Sequence, residues 1–98
     1  MFEAQRLVYL RNRINLKNLA SHLGIQMKVK DNQCWFVCPK CLELKASFQK
    51  NQNLARCWKC NTRYNSIELV MAHFNINFRQ AVMFLIDQER QFPKKDYP

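Results

Sequence analysis

CPKCLELKASFQKNQNLARCWKC, residues 38–60, decides how this chain folds. It holds two Cys-x2-Cys pairs, Cys38/Cys41 and Cys57/Cys60, with fifteen residues between them. A two-residue spacer lets one tight turn aim both sulfurs at a single point. Two such turns complete a tetrahedron with Zn–S distances of about 2.3 Å. The gap suits one β-hairpin that leaves the first turn and returns at the second. ASFQK and NLARCW alternate apolar and polar residues, and KNQN between them is a polar turn cluster. Cys38, Cys41, Cys57 and Cys60 are therefore read as ligands of one structural Zn2+. Four protein thiolates leave no open coordination position, so no catalytic residue or activated water is expected there.

The chain has five cysteines. An odd count argues against a closed set of disulfides, and paired cysteines in a reducing compartment are more often metal ligands. Cys34 is read as a small buried hydrophobe. His22 and His73 are read as core-edge or solvent-facing residues, since the metal already has four better partners. Met27, Met71 and Met83 are read as core filler.

On the N-terminal side, residues 2–14 form a basic, partly amphipathic helix with Leu7, Leu10 and Ile14 at helical spacing. Asn15 is placed to cap a second helix in which Leu16, Leu19, Ala20 and Leu23 share a face. Gly24 supplies a left-handed stop. IQMKVK alternates apolar and polar residues and QCWFVC is rich in β-formers, so residues 25–64 read as three or four short antiparallel strands. On the C-terminal side, Asn65-Ser66-Ile67-Glu68 is a capping box that opens a helix with Ile67, Val70, Met71 and Phe74 on one face. Asn77-Phe78-Arg79-Gln80 repeats the signal, with Phe78, Ala81, Val82 and Leu85 inward. The expected architecture is α+β: a small antiparallel zinc-ribbon sheet flanked by N-terminal and C-terminal helices. One domain is expected over 1–91 (helices 2–24, ribbon 25–64, helices 65–91), with a flexible tail at 92–98.

Lys and Arg number 16 against 7 Asp and Glu, a formal net charge of +9. Four thiolates and one zinc ion subtract from that, and Lys40, Arg56 and Lys59 beside the ligands offset them locally. The remaining excess predicts an anionic partner, most often nucleic acid. Between Lys28 and Arg63 the cations are interleaved with aromatic rings and opposed only by Asp31 and Glu43. That pattern suits a single strand, whose phosphates meet cations while its bases stack on rings. Phe36 and Phe48 are expected in the core, Trp58 and Tyr64 as stacking rings. No apolar run is long enough to span a bilayer, and the N-terminus is not a secretory signal, so a cytoplasmic protein without a membrane partner is expected.

With these residues in order, the sequence resembles the zinc-binding domain of bacterial (DnaG-type) DNA primases, in a four-cysteine variant. Cys38-Pro39-Lys40-Cys41 is followed by Glu43, Ser47-Phe48, Cys57-Trp58-Lys59-Cys60, the helix Ile67-Glu68-Leu69-Val70-Met71, and Phe78 to Leu85 with an Ala-Val-x-Phe-Leu core. Cys41 stands where the family usually has His. Leu44-Lys45-Ala46 replaces a Lys-Thr-Pro, and Asn61-Thr62-Arg63-Tyr64 replaces a glycine-rich turn, with Asn61 able to take a left-handed conformation. The resemblance implies a DNA-replication module that engages single-stranded DNA template and helps a polymerase begin a primer. Lys45, Phe48, Arg56 and Trp58 carry over as nucleic-acid contacts, and Lys59, Arg63 and Tyr64 extend the set. Primer synthesis needs carboxylates that hold Mg2+. The acids here are scattered, so the chain is expected to lack a polymerase site and to act with a primase catalytic domain, a polymerase or a helicase. A structural adaptor that docks such a partner, with little DNA binding of its own, is the other reading.

Overall fold

Asparagine, rather than glycine, makes most of the turns. The chain has a single glycine. The computed structural model describes residues 4–49 and 51–88. Among them Asp31, Asn32, Leu42, Asn51, Asn61 and Asn75 have positive φ. Asn and Asp enter the left-handed region at low cost because their short side chains bond locally. Asp31-Asn32, both left-handed, fit the two-residue hairpin turn that matches strand twist.

Two helices open the chain: α1, Ala4–Arg13, and α2, Leu16–His22. Asn15 caps α2 as its spacing predicts, its side chain accepting from the Asn18 amide at 2.9 Å. Gly24 sits at φ +77. There the Ile25 amide reaches back to the Ala20 carbonyl and the Gly24 amide to Ser21, both at 3.0 Å, closing a Schellman stop. Two helices close the described chain: α3, Ser66–Phe74, and α4, Phe78–Gln88. The Asn65 side chain accepts from the Glu68 amide at 2.8 Å. Asn77 and Gln80 cap each other reciprocally at 2.8 and 3.1 Å. Left-handed Asn75 ends α3 as Gly24 ends α2, with the Ile76 amide on the Met71 carbonyl at 3.0 Å.

Between the helix pairs lie β1 (Met27–Lys30), β2 (Gln33–Phe36), β3 (Ala46–Phe48), β4 (Ala55–Cys57) and β5 (Arg63–Tyr64). They form one antiparallel meander in chain order. Sequence reading expected three or four strands; the fifth, β5, is only two residues long. Side chains alternate between the two faces of a sheet, so register sorts the residues. Met27, Phe36, Ala46 and Cys57 align on one face, with Phe48, Ala55 and Tyr64 beside them. This inner face and the helices share one buried core that includes Leu10, Leu19, Phe36, Tyr64, Leu69, Val70 and Leu85. Lys28, Trp35, Ser47, Arg56 and Arg63 align on the opposite, outer face, one from each strand.

Two long-range polar contacts fix the helices. The Ser66 hydroxyl, fully buried, donates to the Leu10 carbonyl at 2.6 Å. Asn53, at the tip of the β3–β4 hairpin, accepts from the Leu16 amide at 2.8 Å and donates to the Arg11 and Ile14 carbonyls, both at 2.6 Å. One side chain thus satisfies both ends of the α1–α2 corner, where backbone groups lack helical partners.

Several expectations are corrected. Phe74 and Phe78 are each 45% exposed. They flank the break where the chain bends by 110° between α3 and α4, so their rings lie beyond the core, with Phe74 against Phe84 at 5.1 Å. Leu69 is fully buried instead, because α3 packs on α1, α2, α4 and β5 and therefore buries more than one face. Met83 is exposed on α4, whereas Met27 and Met71 pack against the core. Cys34 is half-buried rather than buried, in register with the exposed Val29 at the sheet's projecting end. The expected helix start at residue 2, its end at 91 and the tail 92–98 lie outside the described residues.

Candidate metal centre and nucleic-acid face

The first cysteine turn follows β2. The Cys38 amide donates to the Glu43 carbonyl at 2.9 Å, and the Leu42 amide donates back to the Cys38 carbonyl at 2.8 Å. The second turn leaves β4, with the Cys57 amide on the Thr62 carbonyl at 2.8 Å and the Cys60 amide on the Cys57 sulfur at 3.5 Å. In each turn the residue after the second cysteine is left-handed: Leu42 at φ 64 and Asn61 at φ 63. The β3–β4 hairpin holds the two turns together, since Ala46 pairs with Cys57.

The four sulfurs of Cys38, Cys41, Cys57 and Cys60 lie within 4.8 Å of one another. Cys38 to Cys60 is 3.7 Å and Cys41 to Cys57 is 3.5 Å. A tetrahedron with metal–sulfur bonds of about 2.3 Å has sulfur–sulfur edges of about 3.8 Å, so the donor set fits one zinc ion. Charge leads to the same conclusion. Hydrogen bonds from Thr62 bring the Cys60 thiol down to about 6. The Glu43 backbone amide pulls Cys41 the same way, yet desolvation and the Cys57 and Cys38 sulfurs outweigh it and push the thiol up to about 12. Four sulfurs this close cannot all ionise unless a cation takes up the charge, which is what zinc supplies.

Tyr64, expected among the stacking rings, has another place. Its side chain is 1% exposed and its hydroxyl lies at hydrogen-bond distance, 2.9 Å, from the Cys38 sulfur. Burial and that sulfur push the phenol well above its usual range, so it stays protonated and able to donate. The neighbour relation contains the reason: Arg63 and Tyr64 are consecutive in a strand, so if one faces out the other faces in. The same parity places Phe48 on the inner side, half-buried and with its ring 4.7 Å from that of Phe36.

The outer face carries the other residues. Trp58 is 55% exposed, and its indole N–H donates to the Ser47 hydroxyl at 2.9 Å. The Arg56 guanidinium lies 4.4 Å from the centre of the Trp58 ring and donates twice to the Asn61 side-chain oxygen, at 3.0 and 2.6 Å. Asn61, Arg56, Trp58 and Ser47 thus make one linked platform. Arg63 is exposed at one end of the row, and Lys28 and half-buried Trp35 lie at the other. Lys45 is exposed where β3 begins. Lys59 differs from the rest: its ammonium pairs with Glu43 at 3.0 Å, tying the two cysteine turns across the solvent side, raising the Lys59 pKa and lowering that of Glu43. Lys28, Trp35 and Ser47 are outer-face residues the sequence-based site left out. Strand alternation held the signal, because Trp35 and the inward Phe36 are neighbours. Of the histidines, His22 meets Gln88 at 3.2 Å and His73 packs edge-on to Phe74; neither joins the sulfur cluster.

A five-stranded meander whose hairpin brings two cysteine turns onto one tetrahedral point is a zinc ribbon. The particular kind is shown by comparison. Residues 2–96 match the family model of the DnaG zinc ribbon, described as the CHC2 zinc finger, and the chain belongs to that family. It is 24% identical over 80 residues to a DNA primase of Mycoplasma genitalium. That match takes in 80% of this chain and 13% of the primase, so the chain spans a small part of that relative's length. No solved structure gives a significant match. Within the family, the position usually held by His is Cys41, and its sulfur joins the other three.

Proposed function

We propose that the outer sheet face binds single-stranded DNA template, and that this zinc ribbon serves a primase, either as one of its domains or as a separate replication accessory. The reading rests above all on the in-register row Lys28, Trp35, Ser47, Arg56 and Arg63 with the Trp58 ring laid over it. The side chains of Lys28, Lys40 and Arg63 make no hydrogen bond or ion pair to other described residues, so their charges are available to phosphates. Trp58 and Trp35 offer rings to bases, and each stacked base is worth about 1–3 kcal/mol. Lys45 and Arg63 extend the cationic track, while Phe48, Lys59 and Tyr64 contribute by holding the ribbon's shape. Zinc takes no part in chemistry; it holds β3, β4 and the two turns at the spacing the row requires. Polymerisation belongs to a partner carrying the Mg2+ carboxylates, and the complex works in the cytoplasm.

Fluorescence anisotropy of the zinc-loaded protein with single-stranded and duplex oligonucleotides tests this across a salt series. Preference for the single strand, with affinity falling steeply as salt rises, is the expected result. Equal or negligible binding of both would sink it. The adaptor reading has one observation in its favour: Phe74, Phe78 and Met83 leave apolar surface exposed on α3 and α4. Under it, substitutions on those helices abolish complex formation with a polymerase, and changes on the outer sheet face do nothing.

A further inference from the structure

A second concave site lies away from the outer face and shares no residue with it. It is a groove of about 1050 Å³ between the β3–β4 hairpin tip and the α1–α2 corner. Such a volume is slightly above the roughly 300–1,000 Å³ of most small-molecule pockets, room enough for a ligand with several parts. Its lining is unusual in composition. Seven of the thirteen residues are Asn or Gln, two are the cations Arg11 and Lys17, and none is acidic. Three of the carboxamides are already used: Asn15 and Asn65 cap helices and Asn53 ties the α1–α2 corner. Asn12, Gln49, Asn51 and Gln52 are left, and their side chains make no hydrogen bond to the other described residues. A free carboxamide offers a donor and an acceptor side by side, which is the pattern that reads the edge of a nucleobase. Phe48, half-buried in the sheet, also lines the groove and gives it an aromatic surface.

We propose that this groove is a second binding site, for a nucleoside phosphate, in which Arg11 and Lys17 hold the phosphate while Asn12, Gln49, Asn51 and Gln52 meet the base edge. A carboxylate-free lining with two cations selects an anion, and four unpaired amides select a partner with its own donors and acceptors. A nucleotide has both. Two sources carry that chemistry, a free nucleotide and the end of a strand. The site does not depend on the outer face binding DNA, so the two ideas can fail separately.

The experiment is an amide chemical-shift titration of the zinc-loaded 98-residue chain with ATP, with inorganic triphosphate and with a short single-stranded oligonucleotide. Saturable shifts confined to residues 8–17 and 48–54 are expected with ATP, and with the oligonucleotide if a strand end is the natural occupant. The double variant R11A/K17A weakens ATP binding by roughly tenfold or more while its spectrum stays dispersed. Trp58→Ala leaves the ATP shifts as they were and weakens only the oligonucleotide's contact with the sheet. The proposal is overturned if millimolar ATP moves no groove amide, if its shifts fall on the outer face, or if inorganic triphosphate reproduces them at equal affinity. Persistence of full ATP binding in R11A/K17A overturns it too.

Discussion

The two faces of the sheet are built from the same five strands, often from adjacent residues, yet they answer to different demands. Inward, Phe36, Ala46, Ala55, Cys57 and Tyr64 are sealed under the helices and the metal centre. Outward, Lys28, Arg56, Arg63 and Trp58 remain at least partly open to solvent. The inner face is where stability is concentrated; the outer face holds charge and aromatic surface that folding does not require. The comparison teaches that damage to one face and damage to the other should be separable by measurement.

The largest effect comes from removing the metal. Structural zinc in small ribbons contributes about 10–16 kcal/mol, as much as or more than the roughly 5–15 kcal/mol by which a domain is stable. Chelation, or Cys57→Ser, is expected to collapse β3, β4 and β5 together. Loss of amide dispersion and of strand circular dichroism checks it, and the proposed single-strand binding is expected to be lost with the fold. A sheet that stays intact without zinc would mean the helices alone hold it. Next in size is Tyr64→Phe. It keeps the buried ring and removes only the hydroxyl at hydrogen-bond distance from the Cys38 sulfur. An unmet hydrogen-bond partner in a buried site costs about 1–3 kcal/mol. The expected outcome is a lower melting temperature and faster zinc transfer to a chelator, with unchanged single-strand affinity per folded molecule. If affinity falls while stability holds, Tyr64 belongs to the binding surface after all.

Trp58→Ala breaks the opposite face. The ring is 55% exposed, so little packing is lost on folding. Single-strand affinity is expected to fall by about 1–3 kcal/mol, read by anisotropy, while the melting temperature changes little. Arg56→Ala follows in size. It is expected to reduce the salt dependence of binding by about one ion and to free the Asn61 side chain.

Local chemistry explains which parts of this arrangement can be read from sequence. The four ligands are legible because a two-residue spacer between cysteines has few other uses. Asn15, Asn65 and the Asn77/Gln80 pair are legible because caps act within one turn of the chain, and Asn61 because its left-handed role is decided by its neighbours. Tyr64 and Trp35 are not, since which neighbour faces inward depends on pairing with a strand many residues away. Nor is Asn53: KNQN reads as a turn, and nothing nearby announces that one of its amides closes a corner between α1 and α2. Phe74 and Phe78 fit a helical stripe but fall at helix ends, where the stripe runs out of core to cover. The unpaired amides of the hairpin tip looked like turn polarity for the same reason.

The smallest effect asks whether the two cysteine turns are equivalent. Both place a left-handed residue after the second cysteine, but Leu42 is a poor choice for it and Asn61 a good one. A left-handed residue with a Cβ costs about 1–2 kcal/mol unless its side chain compensates. Leu42 is 75% exposed, so its side chain returns little by packing. Leu42→Gly is expected to raise stability, by less than that strain because glycine loses about 0.5–1 kcal/mol more backbone entropy on folding. Asn61→Gly reverses the balance. It relieves almost no strain, and it removes the oxygen that holds the Arg56 guanidinium at 3.0 and 2.6 Å. It is therefore expected to leave stability level or slightly lower and to weaken single-strand binding by loosening the Arg56–Trp58 platform. Denaturant melts of the two zinc-loaded variants, with anisotropy on each, separate the cases. A gain in stability for Leu42→Gly and none for Asn61→Gly, with a binding defect confined to Asn61→Gly, support the distinction; identical behaviour would show that backbone conformation is all that either position supplies.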